Sequence, residues 1–388
     1  MIDIAIVNPS RSPAKCAEVG VQKIISTFYE GVLKSHEWIR CRRPPGATDI
    51  EYYGKYPGDE SRELLQNLSQ EAQLAGVEVH PYTLVAIAGV WTGSRRTIPR
   101  RIIPDGRIPR FAAENPEYMS KGRDGRSWLD WEVGEQVLGY DVGYMSLAYP
   151  EVREYVIAGL AAYAREFGAD GVQLEFVQVL AEGEEVWPLG YDVPAIADYT
   201  QAHGADPREI DNDDEAWTRL RASYYTQLMR ELRDALSRLD RKVEISVATE
   251  GVWVAPDSAY KLMLDWPAWV DEGLVDALHP RFWIIDPHYP LSYPNSGTGS
   301  WYVDPARIKK EIAAVKEVVG EKCEIYGTVL GKNGGGGIPV RDSVERTAAA
   351  AKAMIEAGSD GFGVYTDDYV MADDLFWRTL NGIHRGTF

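Results

Sequence analysis

The chain has 388 residues, 45% of them hydrophobic and 26% charged, with 59 acidic against 41 basic side chains and a net charge of −18. That balance repels phosphate backbones and anionic lipid, which excludes nucleic acid as a partner class. No stretch reaches 18 uninterrupted apolar residues, so no membrane span is expected, and the length suffices for one large barrel.

The amino-terminal segment MIDIAIVNPSRSP has no basic leader region and only a short apolar run. The chain as given is therefore expected in the cytoplasm, and outside it only if a leader precedes this sequence. Cys16, Cys41 and Cys323 are odd in number, widely spaced and free of any CxxC pairing, so they read as reduced thiols.

Eight runs rich in Val, Ile and Tyr, bounded by turn residues, read as strands. They are IDIAIVN (2–8), TDIEYYG (48–54), VEVHPYTLVAI (77–87), GVQLEFV (171–177), KVEISVAT (242–249), LVDALHPRFW (274–283), CEIYGTVLG (323–331) and GFGVYTDD (361–368). Helical patterns stand between them. SRELLQNLSQEAQLAG follows the second run, and PEVREYVIAGLAAYAREFG precedes the fourth, with Val152, Val156, Leu160, Tyr163 and Phe167 on one face and Gly168 as its cap. Trp217, Leu220, Tyr224, Leu228, Leu232 and Leu236 form a further stripe over 216–238. PARIKKEIAAVKEVVG and VERTAAAAKAMIEAG complete the alternation. Strand and helix in turn, eight times, define an α/β protein: a single (β/α)8 barrel of the TIM type spanning residues 1–388.

Two connections, about 88–148 and 178–214, are long and follow strands three and four, and in a parallel barrel the loops after strands build the active face. GKNGGGGIPV after strand seven lacks the order of a phosphate-binding loop and reads as a mobile linker. The sequence shows no internal repeat.

Carboxylates recur at the strand ends. Glu175 stands where strand four leaves the barrel, where a buried mid-strand charge would be costly, so it is expected to face a cleft. Glu250 holds the same place after strand five, Asp367 and Asp368 follow strand eight, and Asp286 follows strand six. Several acids converging on one rim suit general acid and base chemistry. The aromatic content, 12 Trp and 22 Tyr against 8 Phe, supplies rings with polar edges. Candidate substrate contacts are Tyr53, His80, Tyr82, Trp253, His279, Arg281, Trp283 and Tyr365, with Tyr52, Trp91, Trp128, Trp131, Trp187, Trp301 and Tyr326 in the wider set. Stacking rings beside acids point to a carbohydrate as the partner. His80 and His279 belong to no HxH or HExxH pattern, so no metal or other cofactor is expected. Neither a GxSxG elbow nor a GxGxxG fingerprint is present.

YPEVREYVIAGLAAYAREFGADGVQLEFV resembles a signature of the glycoside hydrolase-like family ten domains. LLQNLSQEAQLAGVEVHPY, EAWTRLRASYYTQLMRELRDAL with VEISVATEGVW, and WPAWVDEGLVDALHPRFW are similar to further blocks of that family in the same order. The resemblance spans roughly 48–370 and implies a barrel acting on glycosidic bonds, with Asp170 and Gly171 turning into strand four. Glu175 stands where that family carries the first of two acids, and Phe176 replaces the second. The expected activity is that of a glycosidase with Glu175 and Glu250 as its carboxylate pair and Asp367 as the alternative second acid. Two other functions fit the same residues: a non-catalytic carbohydrate-binding barrel, and a metal-dependent hydrolase or lyase using His80, His279 and the acids.

Overall fold

The computed structural model describes residues 1–7, 9, 11–27, 37–42, 49–55, 59–92, 105–130, 142–176, 189–250, 259–261, 263–283, 305–331, 340–366 and 373–387. Its strands in chain order are β1 (Asp3–Val7), β2 (Val21–Thr27), β3 (Trp38–Arg42), β4 (Glu51–Lys55), β5 (Glu78–Leu84), β6 (Ile87–Thr92), β7 (Asp105–Pro109), β8 (Val142–Tyr144), β9 (Gly171–Glu175), β10 (Glu244–Glu250), β11 (Ala277–Trp283), β12 (Glu324–Gly331) and β13 (Gly361–Thr366). Eight of them, in the order β1-β13-β12-β11-β10-β9-β5-β2, close a barrel whose neighbours are all parallel. The other five form an antiparallel sheet ordered β4-β3-β7-β6-β8.

All but one of the expected strands fall in the barrel. The exception is the run 48–54: β4 occupies that stretch but pairs antiparallel with β3 in the second sheet, and the second barrel strand is Val21–Thr27 instead. The reason is burial. Strands of a parallel barrel are covered on both faces and need a run such as Val21, Ile24 and Ile25, all buried, whereas Tyr52 in β4 stays 42% exposed.

Helices clothe the barrel. In Pro150–Phe167 the residues Val152, Val156, Leu160, Tyr163 and Phe167 are buried, and Gly168 ends the helix in the left-handed conformation at φ 68°. Helix Glu215–Ser237 starts where the Asp214 side chain accepts the Trp217 N–H at 2.9 Å, and it buries Trp217, Leu228, Leu232 and Leu236. Each such large apolar side chain contributes about 1.5–3 kcal/mol. No described helix is long and apolar enough to cross a membrane. Cys16, Cys41 and Cys323 are buried and unbridged, and burial pushes the Cys16 and Cys323 thiols up to about 12.

The inside of the barrel alternates small and large residues. Ala5, Ala248 and Ala277 share the interior cluster with Tyr82 and Tyr326. A Cβ on Gly361 would stand 2.3 Å from the Tyr326 ring, which is why GFG serves as the inner edge of β13. The connection after β5 carries β6, β7 and β8, which together with β3 and β4 from the connection after β2 make the second sheet. Both inserts leave from carboxyl ends of barrel strands, the end at which Glu175 lies.

Candidate active site

Glu175 is the last residue of β9 and is 7% exposed. Strand alternation sets Val172 and Leu174 against the helices, so Gln173 and Glu175 face inward. The Glu175 Oε1 lies 2.6 Å from the NH2 nitrogen of Arg281, on β11. That same nitrogen donates to the Tyr82 hydroxyl at 3.2 Å, from β5. Burial pushes the Glu175 carboxyl above its ordinary value, and the Arg281 charge and hydrogen bond pull it back. Tyr365, half-buried, has its phenol raised by burial and by the Glu175 charge.

Below the pair lies a small cavity lined among others by Tyr82, Gln173, Ala248, His279, Arg281 and Thr328. His279 is fully enclosed there, its ring stacked on Tyr326 at 5.2 Å and 9°. Burial, then Lys23, His80 and Arg281, hold its imidazole well below the usual range, so it is a neutral group at physiological pH.

The structure thus brings together Glu175, Tyr82, Arg281, Tyr365 and, deeper, His279. It does not bring His80 to them. His80 sits near the start of β5, its Nε2 3.2 Å from Glu78 and its Nδ1 3.8 Å from Glu244, at the amino-terminal end of the barrel. Tyr53 lies in the second sheet, paired in register with Arg40 and under the Arg42 guanidinium at 5.3 Å. Glu250 ends β10 as the register partner of Arg281, and Trp283 ends β11 opposite Leu330. The side chains of Glu250, Trp283, Trp91 and Trp128, and the residues Trp131, Trp187, Trp253, Asp286, Trp301, Asp367, Asp368 and 332–339, lie outside the described residues.

Phe176 resolves the departure from the family signature. Its ring packs at 5.5 Å from Tyr225 and 5.6 Å from Trp269, so this position faces the helices and not the barrel mouth.

A second polar cluster escaped the sequence analysis. Lys23, on β2, bonds both Glu244 oxygens at 2.8 and 2.7 Å and reaches Glu324 at 3.5 Å. Burial disfavours the ammonium, but Glu244, Glu324 and Glu78 hold it above its ordinary value. The signal was present as a lysine among the apolar residues Val21, Ile24 and Ile25 of VQKIIST. Glu78, His80 and Glu244 converge closely enough to ligate a divalent ion. Two features weigh against a catalytic metal there: Lys23 already supplies the counter-charge, and the cluster lies at the barrel end that serves stability.

A closed parallel (β/α)8 barrel carries its active site at the carboxyl ends of its strands, and Glu175 is a buried carboxylate at that end of the fourth one. The chain belongs to the Glycosyl hydrolase-like 10 family, whose model matches residues 50–287. Among solved structures it is similar to the glycoside hydrolase domain of PgaB (BpsB) from Bordetella bronchiseptica, at 14% identity and TM-score 0.59, with 99% of each chain covered. It is also similar to a beta-galactosidase from the psychrophilic Marinomonas ef1, at 11% identity and TM-score 0.58, covering 99% of this chain and 59% of that one. Alpha-L-fucosidase isoenzyme 2 from Paenibacillus thiaminolyticus shares 15% identity at TM-score 0.50, with 99% and 48% covered. At such identities the likeness shows the fold alone. Comparison with curated proteins finds no sequence match.

Proposed function

We propose that the protein is a glycoside hydrolase that cleaves glycosidic bonds of an oligo- or polysaccharide with two carboxylates, Glu175 and Glu250. The observation that carries this is Glu175 itself: a buried carboxylate facing the interior at the carboxyl end of β9, raised by burial and bonded to a buried arginine. Glu250 ends the neighbouring strand in register with that arginine, which supports it as the second acid; Asp367, after β13 in the sequence, is the alternative. Tyr82 and Tyr365 supply aromatic edges beside Glu175. A carboxyl separation of about 5 Å gives retention through a covalent intermediate, and about 6.5–9.5 Å gives inversion by water.

A non-catalytic carbohydrate-binding barrel is the second reading, favoured by one observation: the Glu175 carboxylate is already engaged by Arg281. Release of reducing ends over a panel of polysaccharides and aryl glycosides, wild type beside Glu175→Gln and Glu250→Gln, separates the two. Hydrolysis by the wild type alone supports the enzyme. Retained oligosaccharide binding with no hydrolysis supports the binding barrel.

A further inference from the structure

We propose that Gln173 is a specificity-determining residue: the cavity beneath Glu175 seats one hydroxyl of the bound sugar, whose oxygen accepts from the Gln173 amide while its proton goes to His279. This rests on the carbohydrate reading above and names the substituent that the site selects. Nothing in the sequence singled Gln173 out.

The cavity exists because the barrel interior is thin at that level. Ala5, Ala248 and Gly363 line it with little or no side chain, and a Cβ on Gly363 would stand 2.0 Å from the Thr328 hydroxyl oxygen. Its wall runs from Gln173 and His279, each 2% exposed, to the half-buried Tyr365. The space takes one small polar group, so a pyranose ring has to stay above it.

Two groups in that wall complement each other. The Gln173 amide nitrogen is buried and has no hydrogen-bond partner among the described residues. A buried donor left unmade is costly, which favours a ligand that brings an acceptor. The Thr328 hydroxyl donates to the Tyr326 carbonyl at 2.9 Å and lies 3.5 Å from His279 Nδ1. With its only proton used there, it can only accept from the ring, which puts the imidazole proton on Nδ1 and leaves Nε2 as an acceptor.

A hydroxyl is the substituent that both accepts and donates. A carboxylate cannot donate to the ring, an ammonium cannot accept from the amide, and a bare hydrogen leaves the amide unpaired. An acetamido group is larger than the space. The sugar above the cavity is therefore neutral and hydroxylated at its deepest position.

The test follows the nitrogen-15 signals of the His279 ring in the full chain, identified by their loss in His279→Gln. Methyl glycosides of glucose, galactose and mannose are titrated in, each beside its single-deoxy forms and beside methyl N-acetylglucosaminide. At least one parent sugar should move the Nε2 signal, and loss of one particular hydroxyl should weaken that sugar roughly ten- to a hundredfold. Gln173→Leu should weaken the parent sugar by the same factor and bind the form lacking the deep hydroxyl as the wild type does. A fold defect would weaken both ligands alike, and the deoxy series on the wild type needs no variant at all. An Nε2 signal that no sugar moves, a deoxy series with no dominant position, or equal loss of both ligands in Gln173→Leu overturns the proposal. Selective seating by a protein that hydrolyses no glycan of the panel sinks the hydrolase reading and leaves the subsite standing. Hydrolysis without that selectivity does the reverse.

Discussion

The buried carboxylate of Asp192 accepts the main-chain N–H of Lys121 at 2.8 Å, a bond spanning 71 residues. Lys121 in turn accepts the N–H groups of Gly190 and Tyr191 at 3.1 and 3.0 Å. The segment inserted after β5 is thereby tied to the chain returning from the connection after β9.

Burial raises the Asp192 carboxyl to about 6, against hydrogen bonds from Ser146 and Lys121 that lower it. A carboxyl raised on folding binds its proton more tightly in the native state, so its contribution is present below pH about 4 and is lost as pH rises through about 6. The contribution is on the order of 3 kcal/mol. Urea titrations from pH 4 to 7 should show Asp192→Asn losing less stability over that interval than the wild type. Parallel pH curves would mean that Asp192 does not titrate there.

Glu175→Gln should abolish turnover while the protein stays folded. The amide oxygen can still accept from Arg281, but the buried ion pair at 2.6 Å is lost, so a stability loss of about 3 kcal/mol is expected. Glycan hydrolysis and thermal melting of the purified variant measure the two effects. Undiminished hydrolysis would remove Glu175 from the mechanism.

Lys23→Met should destabilise the fold by about 3–5 kcal/mol, because it strands Glu244 beside His80 with no ammonium at 2.7 Å. The double variant Lys23→Met/Glu244→Gln should recover part of that loss. A double variant no better than the single one would show that the pair's geometry, and not its charge, matters at this end of the barrel.

Gly171→Ala introduces a Cβ 2.4 Å from the His80 Nδ1 and 2.9 Å from the Glu244 carbonyl oxygen. Overpacking of this kind costs about 1–3 kcal/mol. Adding His80→Ala should relieve most of the clash, read as a partial return of the melting temperature. Equal melting of Gly171→Ala and wild type would show that the ring yields freely.

Treatment with EDTA should leave glycan hydrolysis unchanged, since the cluster with metal-ligand spacing, Glu78, His80 and Glu244, is at the end of the barrel away from Glu175. Loss of hydrolysis on chelation and its return with zinc would replace the two-carboxylate mechanism with the metal-dependent one.

Much of the architecture was legible. GVQLEFV, KVEISVAT and GFGVYTDD announced their strands by apolar runs between turn residues, and the helix before β9 announced itself by a 3.6-residue stripe and a capping glycine. The position of Glu175 at a strand end was legible for the same reason: the strand's length fixes where it stops. The second barrel strand was missed because VQKIIST carries a lysine in its middle, and TDIEYYG drew the assignment by its tyrosines. His80 reads in the sequence as a substrate contact, but it stands near the start of β5, which continues to Leu84, and so lies low in the barrel.

What the sequence determined by itself is periodicity: which segments bury one face, where each begins and ends, and therefore an alternating barrel with acids at its strand ends. Only the tertiary structure decided who meets whom. Lys23 and Glu244 are 221 residues apart, and Arg281 on β11 finds Glu175 on β9 across β10. Local pattern reflects short-range sterics and burial, which repeat along the chain. Ion pairing inside a barrel depends on the closure that brings β2 beside β5 and β11 within reach of β9, and no local window contains that closure.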